Sequence, residues 1–215
     1  METINTIRKI NAAKKEKADK EQLAKEKEIR INKCIRKYYV TSGALPPTDI
    51  LVGQTWCEIG AIVYTVYKFM INSIVEIGTD RGGLGVLLAL QAFIGKDTKY
   101  LGIELHEENV EPKFLDLINI IPGASFLCAD AFSNDCINHV SDFVRDGRAL
   151  IFCDNGNKPR EFETYAKILK PGDLLMVHDY PVEFNENNSN FDLLRRLDVD
   201  YLLPTRIVMF EKDRC

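Results

Sequence analysis

Residues 74–85, Ile74-Val75-Glu76-Ile77-Gly78-Thr79-Asp80-Arg81-Gly82-Gly83-Leu84-Gly85, run a short apolar strand into a glycine-rich turn and then into a helix. A strand that leaves through such a turn into a helix begins a parallel sheet whose faces are covered by helices. Glycines in the turn allow positive φ and let a ligand approach the backbone, while the first helical N–H groups face the same cleft. A nucleotide-type ligand is one reading of this turn. A strand-to-helix turn with no ligand is the other, because a lone Gly-x-x-x-Gly-Gly is a weak signal.

The pattern downstream extends the sheet. Apolar runs near 74–77, 100–104, 124–129, 149–153 and 173–178 alternate with helical periodicity near 84–94, 107–120, 134–145 and 160–169, which predicts a doubly wound, Rossmann-like α/β fold. The last segment differs. Val199–Leu203 and Arg206–Glu211 read as two strands joined through Pro204-Thr205, too close for a parallel return, so the sheet is expected to end in an antiparallel hairpin. Before the first strand, Trp56, Ile59, Val63, Val66 and Met70 recur at steps of three and four and predict an amphipathic helix on the core.

Charge divides the chain. Residues 1–37 carry 12 Lys/Arg against 6 Asp/Glu, and the remainder is strongly acidic within an overall formal charge of −4. An acidic domain disfavours nucleic acid as its substrate. The arm, residues 1–40, reads as a long charged helix without a sustained heptad: a solvated helix or partly disordered arm, a helix that docks a homo-oligomer, or a lid over the site. Residues 41–49 read as a linker, and residues 50–212 as the α/β domain. No apolar run reaches the roughly 20 residues that span a bilayer, so no membrane partner is expected. Six cysteines without a C-x-x-C pair read as buried free thiols in a cytoplasmic protein.

Open α/β sheets bind ligands beyond the carboxyl ends of their strands. There the chain offers Glu104, Asp130, Asp154 and the pair His178-Asp179. Glu104, 26 residues after Gly78, suits a ribose diol, or is a solvated surface glutamate. Asp130, followed by Ala131 and Phe132, could accept from an adenine amine above an apolar floor, or cap the next helix. Asp154, His178 and Asp179 end adjacent strands and could hold a divalent cation; without one, His178 could act as a general base, or the three form a polar network that braces the loops. Lys158 is a further base if desolvated beside a cation, or a solvated lysine before Pro159.

Taken together, Val75-Glu76-Ile77-Gly78 with Gly82-Gly83, Tyr100-Leu101-Gly102-Ile103-Glu104, Cys128-Ala129-Asp130-Ala131, Phe152-Cys153-Asp154-Asn155-Gly156, and Leu169-Lys170-Pro171-Gly172-Asp173 before Val177-His178-Asp179-Tyr180 resemble class I S-adenosylmethionine-dependent methyltransferases. The chain is similar in particular to O-methyltransferases of small hydroxylated molecules, of the catechol type and of the type acting on sugars, antibiotics and polysaccharides. The resemblance implies a seven-stranded sheet and a small-molecule or sugar acceptor. It implies that Glu76, Gly78 and Gly82 line the methionine part of S-adenosylmethionine, that Glu104 takes the ribose and Asp130 the adenine, with Asp80, Gly83, Leu105, Ala131 and Asp154 completing the contacts. Carboxylates at the positions of Asp154 and Asp179 bind magnesium in metal-dependent relatives. This chain departs from the catechol type in having His178-Asp179 where an Asp-Asn pair stands, and Lys158 one residue late. His178, Lys158 and Asp179 are the expected catalytic residues, and the loop 180–190, with Tyr180 and Phe184, is expected to border the acceptor. A nicotinamide-dependent oxidoreductase and a non-catalytic binding module are the competing readings.

Overall fold

The computed structural model describes residues 50, 52–95, 97–185, 194–203 and 205–213. The expected N-terminal arm, its oligomeric role and the linker lie outside these residues, as do positions 186–190 of the expected acceptor loop.

Helix α1 (Trp56–Lys68) precedes strand β1 (Ser73–Ile77), and the alternation then runs α2 (Gly83–Ile94), β2 (Lys99–Glu104), α3 (Pro112–Ile120), β3 (Ala124–Cys128), α4 (Asn134–Phe143), β4 (Ala149–Cys153), α5 (Lys158–Tyr165) and β5 (Leu174–Val177). Strands β6 (Leu194–Arg196) and β7 (Val208–Lys212) close a seven-stranded sheet in the order β3-β2-β1-β4-β5-β7-β6. Strands β1 to β5 pair in parallel, while β7 runs antiparallel to both β5 and β6. All five residues of β1 and of β4 are buried, as expected of strands with helices on both faces. One face carries Ile74, Tyr100, Leu150, Phe152 and Met176 under α1, α2 and α3; the other carries Val75, Ile151, Val177 and Phe210 against α4 and α5. No helix among the described residues is long and apolar enough to cross a membrane.

Local chemistry explains the boundaries. Thr55 and Glu58 form a capping box at the start of α1, with the Thr55 N–H donating to Glu58 Oε2 at 2.7 Å. Pro112 occupies the first position of α3, so the expected helix over 107–120 divides into a 3-10 turn at Glu107–Asn109 and α3 proper. Ser133, not Asp130, caps α4.

Four sequence expectations need correction. The terminal antiparallel strands are present, but Val199–Leu203 is not one of them: Asp200–Leu202 forms a 3-10 turn, and β6 lies earlier, at Leu194–Arg196. The apolar residues of that turn pack on α1, where the Tyr201 ring meets Tyr64 at 4.8 Å and its hydroxyl lies 3.0 Å from Thr65 Oγ1. Those contacts outweigh local β-propensity. The α1 stripe is also shifted, since Ile59, Ile62 and Val66 are buried while Trp56 and Met70 are exposed, Met70 standing beyond the end of the helix. Cys128 and Cys57 are exposed, whereas Cys136 and Cys153 are buried as free thiols. Finally, Phe184 is fully buried against Phe162 and Phe210 and does not border an acceptor.

Candidate active site

The order of strands reverses at β1, which has β2 on one side and β4 on the other, and such a reversal opens a crevice at the carboxyl edge. Parallel register sets what lines it. Ile77 is level with Ile103 and with Cys153, and Cys153 with Val177. The next residue of each strand therefore forms a row, Glu104–Gly78–Asp154–His178, tied by Gly78 N–H to Ile103 O at 2.9 Å, Asp154 N–H to Ile77 O at 2.9 Å and His178 N–H to Cys153 O at 3.1 Å.

At the β2 end of the row, Glu104 Oε2 accepts from Asp80 N–H at 3.0 Å and Oε1 from Leu105 N–H at 3.0 Å. His106 N–H and Asn109 Nδ2 also reach Oε1 at 3.4 Å, so the carboxylate is fixed and it is Oε2 that keeps a lone pair for a diol hydroxyl. Leu105 beside it is a large apolar side chain left 48% exposed at this edge, a surface suited to an aromatic ring. Asp130 is exposed and turns its Oδ1 onto Phe132 N–H at 2.9 Å, while the Arg160 guanidinium lies 3.9 Å above the Phe132 ring. The apolar floor expected at Phe132 is thus covered by a cation. Ala131 is buried, its carbonyl accepting from the Tyr165 hydroxyl at 2.7 Å.

The turn itself is shaped by close contact. Gly78 has φ +89°, and a Cβ there would lie 2.7 Å from Asp154 O. Gly82, with φ +92°, stands at the N-cap of α2, and a Cβ there would lie 2.6 Å from Phe114 Cδ2. Gly83 begins the helix and is buried. Asp80 has φ +47° and is exposed, as is Arg81, 3.9 Å from Glu111.

Glu76 departs from expectation. It is 1% exposed and lies beneath α2, where its Oε2 accepts from the Tyr100 hydroxyl at 2.5 Å, so it does not line the cleft. Burial raises its pKa to about 8, which leaves it largely protonated at neutral pH. Room for this pair comes from two glycines: a Cβ at Gly85 or Gly102 would lie 2.5 or 2.6 Å from the Tyr100 oxygen. Gly85 therefore serves the buried pair rather than a ligand.

At the other end of the row the expected constellation assembles. Asp154, His178 and Asp179 offer ligand atoms all within 4.8 Å of one another. His178 Nδ1 stands 2.9 Å from Asp154 Oδ1 and 3.4 Å from Asp179 Oδ2. Its Nε2 lies 3.2 Å from Glu58 Oε1, without the alignment of a hydrogen bond. Burial would lower the imidazole pKa, but Asp154, Asp179 and Glu58 outweigh it and hold the ring above its usual value. Asp179 adopts φ +58°, a left-handed conformation that aspartate tolerates better than most residues.

Lys158 is buried and not solvated. Its Nζ reaches Glu183 Oε2 at 2.9 Å, Asp179 Oδ2 at 3.3 Å and Asp154 Oδ1 at 3.7 Å. Burial favours the neutral amine, yet the hydrogen bond to Glu183 and the neighbouring carboxylates keep the ammonium pKa above its ordinary value. That is the wrong direction for a base at neutral pH.

Four residues absent from the sequence expectations complete the site. Glu58 arrives because α1 packs on the same sheet face as His178, and its Oε1 also accepts from Arg206 N–H at 3.2 Å. Gln54 Nε2 donates to Asp154 Oδ2 at 2.5 Å. Arg206 Nη1 pairs with Asp179 Oδ1 at 2.9 Å. Glu161, fully buried, accepts from Asn155 N–H at 3.2 Å and Asn157 N–H at 3.1 Å and so shapes the loop that carries Asp154; burial raises its pKa to about 7. The S/T-x-x-E spacing of Thr55 and Glu58 was visible in sequence, but it signals a helix start and says nothing of a second partner.

Every carboxylate oxygen of Asp154 and Asp179 thus has a positive or donating partner within the chain: His178 and Gln54 for Asp154, Lys158 and Arg206 for Asp179. The oxygens a divalent cation would need are engaged. On this donor set the residues do not fit a resident metal. They do fit S-adenosylmethionine at the other end, where Glu104 and the exposed Leu105 stand beside the glycine turn.

No family model and no curated protein matches the sequence. Among solved structures, the O-methyltransferase TomG from Streptomyces achromogenes, involved in tomaymycin synthesis and in complex with S-adenosylmethionine, is 15% identical with a TM-score of 0.54, covering 77% of this chain and 83% of its own. The O-methyltransferase from Bacillus cereus in complex with S-adenosylhomocysteine is also 15% identical, with a TM-score of 0.54 and coverage of 87% and 91%. With the seven-stranded sheet and its antiparallel end, this likeness shows that the chain has the class I S-adenosylmethionine-dependent methyltransferase fold.

Proposed function

We propose that the chain is an S-adenosylmethionine-dependent O-methyltransferase acting on a hydroxyl of a small molecule or glycan unit. The observation that carries this reading is the single row Glu104–Gly78–Asp154–His178, which sets a diol-binding carboxylate and an acid–base cluster at opposite ends of one crevice. S-adenosylmethionine, when bound, supplies a methyl group activated by its sulfonium charge, so the chain's work is alignment and deprotonation. Glu104 holds the ribose end. Asp179 Oδ2 would take the acceptor hydroxyl's proton, and the Lys158 ammonium, 3.3 Å from that oxygen, would face the oxyanion this leaves. His178, with carboxylates facing both ring nitrogens and holding its pKa above the usual imidazole value, positions Asp154. No step here passes through a metal. The four described cysteines are free thiols, in keeping with a cytoplasmic setting.

Calorimetry with S-adenosylhomocysteine and with NAD tests the cofactor; tight NAD binding would favour an oxidoreductase. Methyl transfer across a panel of phenols and sugars tests the reaction. Asp179→Ala is expected to keep S-adenosylhomocysteine binding and lose turnover by about 100-fold, and full activity in that variant would remove Asp179 from the chemistry.

A further inference from the structure

We infer that the Lys158 ammonium is the resident cation of this site, standing where a divalent metal would otherwise bridge Asp154 and Asp179. Three carboxylates converge on one nitrogen: Glu183 at 2.9 Å, Asp179 at 3.3 Å and Asp154 at 3.7 Å. The Asn155 carbonyl accepts from it at 2.9 Å. These are oxygen ligands of the kind that surround a hard cation, gathered on a side chain left only 4% exposed. The same Asp154 Oδ1 and Asp179 Oδ2 that would ligate a metal are the ones facing Lys158 and His178 Nδ1.

Charge points the same way. Asp154, Asp179 and Glu183 face the fixed charge of the Lys158 ammonium, and Asp179 faces the Arg206 guanidinium as well. A divalent ion added among these oxygens would stand against the ammonium. Position 158 makes this geometry: as the first residue of α5, after the Asn157 cap, its side chain turns back toward the loop that carries Asp154. The inference deepens the proposed reaction and rests on it only for the ammonium's role at the acceptor oxygen.

The test is Mn2+ titration of the full chain, followed by the paramagnetic signal of the free ion, for wild type, Lys158→Ala and the double variant Lys158→Ala/Asp154→Asn. Each protein is first checked for folding by a cooperative thermal melt followed by circular dichroism, and Lys158→Gln replaces Lys158→Ala should the latter fail that check. Wild type is expected to take up no stoichiometric Mn2+ up to about 1 mM, Lys158→Ala to bind one ion at least about tenfold more tightly than wild type, and the double variant to lose the gain. Stoichiometric uptake by wild type, or no gain on removing Lys158, would overturn the inference. Failure of the methyltransferase reading shows instead as absent S-adenosylhomocysteine binding or turnover in wild type, which leaves the Mn2+ titration readable.

Discussion

Glu58 and His178 meet across the sheet edge, the glutamate Oε1 lying 3.2 Å from the imidazole Nε2, although one residue begins the helix before β1 and the other ends β5. Glu58 carries no exposed surface of consequence and has His178, Arg206 and its own capping threonine as neighbours. Burial raises its pKa, but the hydrogen bonds from Thr55 and Arg206 and the charge of His178 prevail and lower it, so it stays ionised. It is a positioning residue: it holds the ring that holds Asp154.

Replacing it by glutamine keeps size and one acceptor but removes the charge facing Nε2. Glu58→Gln is expected to lower kcat by about 10-fold to 100-fold with little change in acceptor KM, as for other residues that orient a reactive group from behind. Because Glu58 raises the His178 pKa, the variant's alkaline limb should move to lower pH. A pH–rate profile distinguishes this from a structural lesion, which would lower all rates without moving the limb.

Glu76 supplies a pH dependence of stability. Its pKa is raised from 4.5 to about 8 by burial, so the folded state binds the proton more tightly than the unfolded chain does. Its contribution is full below pH 4.5, falls as pH rises, and is gone above pH 8, a loss on the order of 5 kcal/mol. Thermal melts of wild type should therefore decline between pH 5 and pH 8 more steeply than those of Glu76→Gln, which keeps an acceptor for the Tyr100 hydroxyl. Parallel curves for the two proteins would mean that the carboxyl is ionised throughout.

Gly82 tests the turn. A side chain there meets Phe114 Cδ2 at 2.6 Å with the backbone at φ +92°, so Gly82→Ala combines strain with overpacking and should cost about 2–4 kcal/mol. Chemical denaturation reads it directly. Gly156, where a Cβ would meet nothing within 4 Å, is the control, and Gly156→Ala should leave the midpoint nearly unchanged.

Much of this was legible in the sequence because the sheet announces itself through burial on both faces. Strands as apolar as Ala149–Cys153 and Leu174–Val177 admit few alternatives, and their register then delivers Asp154 and His178 to one edge. Val199–Leu203 misled for the same reason in reverse, since β-prone residues in a 3-10 turn answer to Thr65 and Tyr64 on α1, which no local pattern reveals. Glu76 misled through its position in the motif: which face of β1 it occupies is written in the alternation, but that Tyr100 waits there depends on the gaps left by Gly85 and Gly102. Lys158 reads equally as a base desolvated beside a cation and as a solvated lysine before Pro159. Its burial follows from the meeting of three acidic groups brought by the ends of β4 and β5 and the turn beyond, a matter of tertiary geometry alone.

Arg206 sets the order in which the centre can be completed. Its backbone N–H binds Glu58 on α1, its guanidinium binds Asp179 beyond β5, and its carbonyl accepts from Tyr180 N–H at 2.9 Å. A chain lacking this segment would leave Asp179 without its guanidinium partner and Glu58 without one of its donors. The acid–base centre is therefore complete only once the segment between β6 and β7 is in place, although every other residue of it comes from α1, the start of α5 and the ends of β4 and β5.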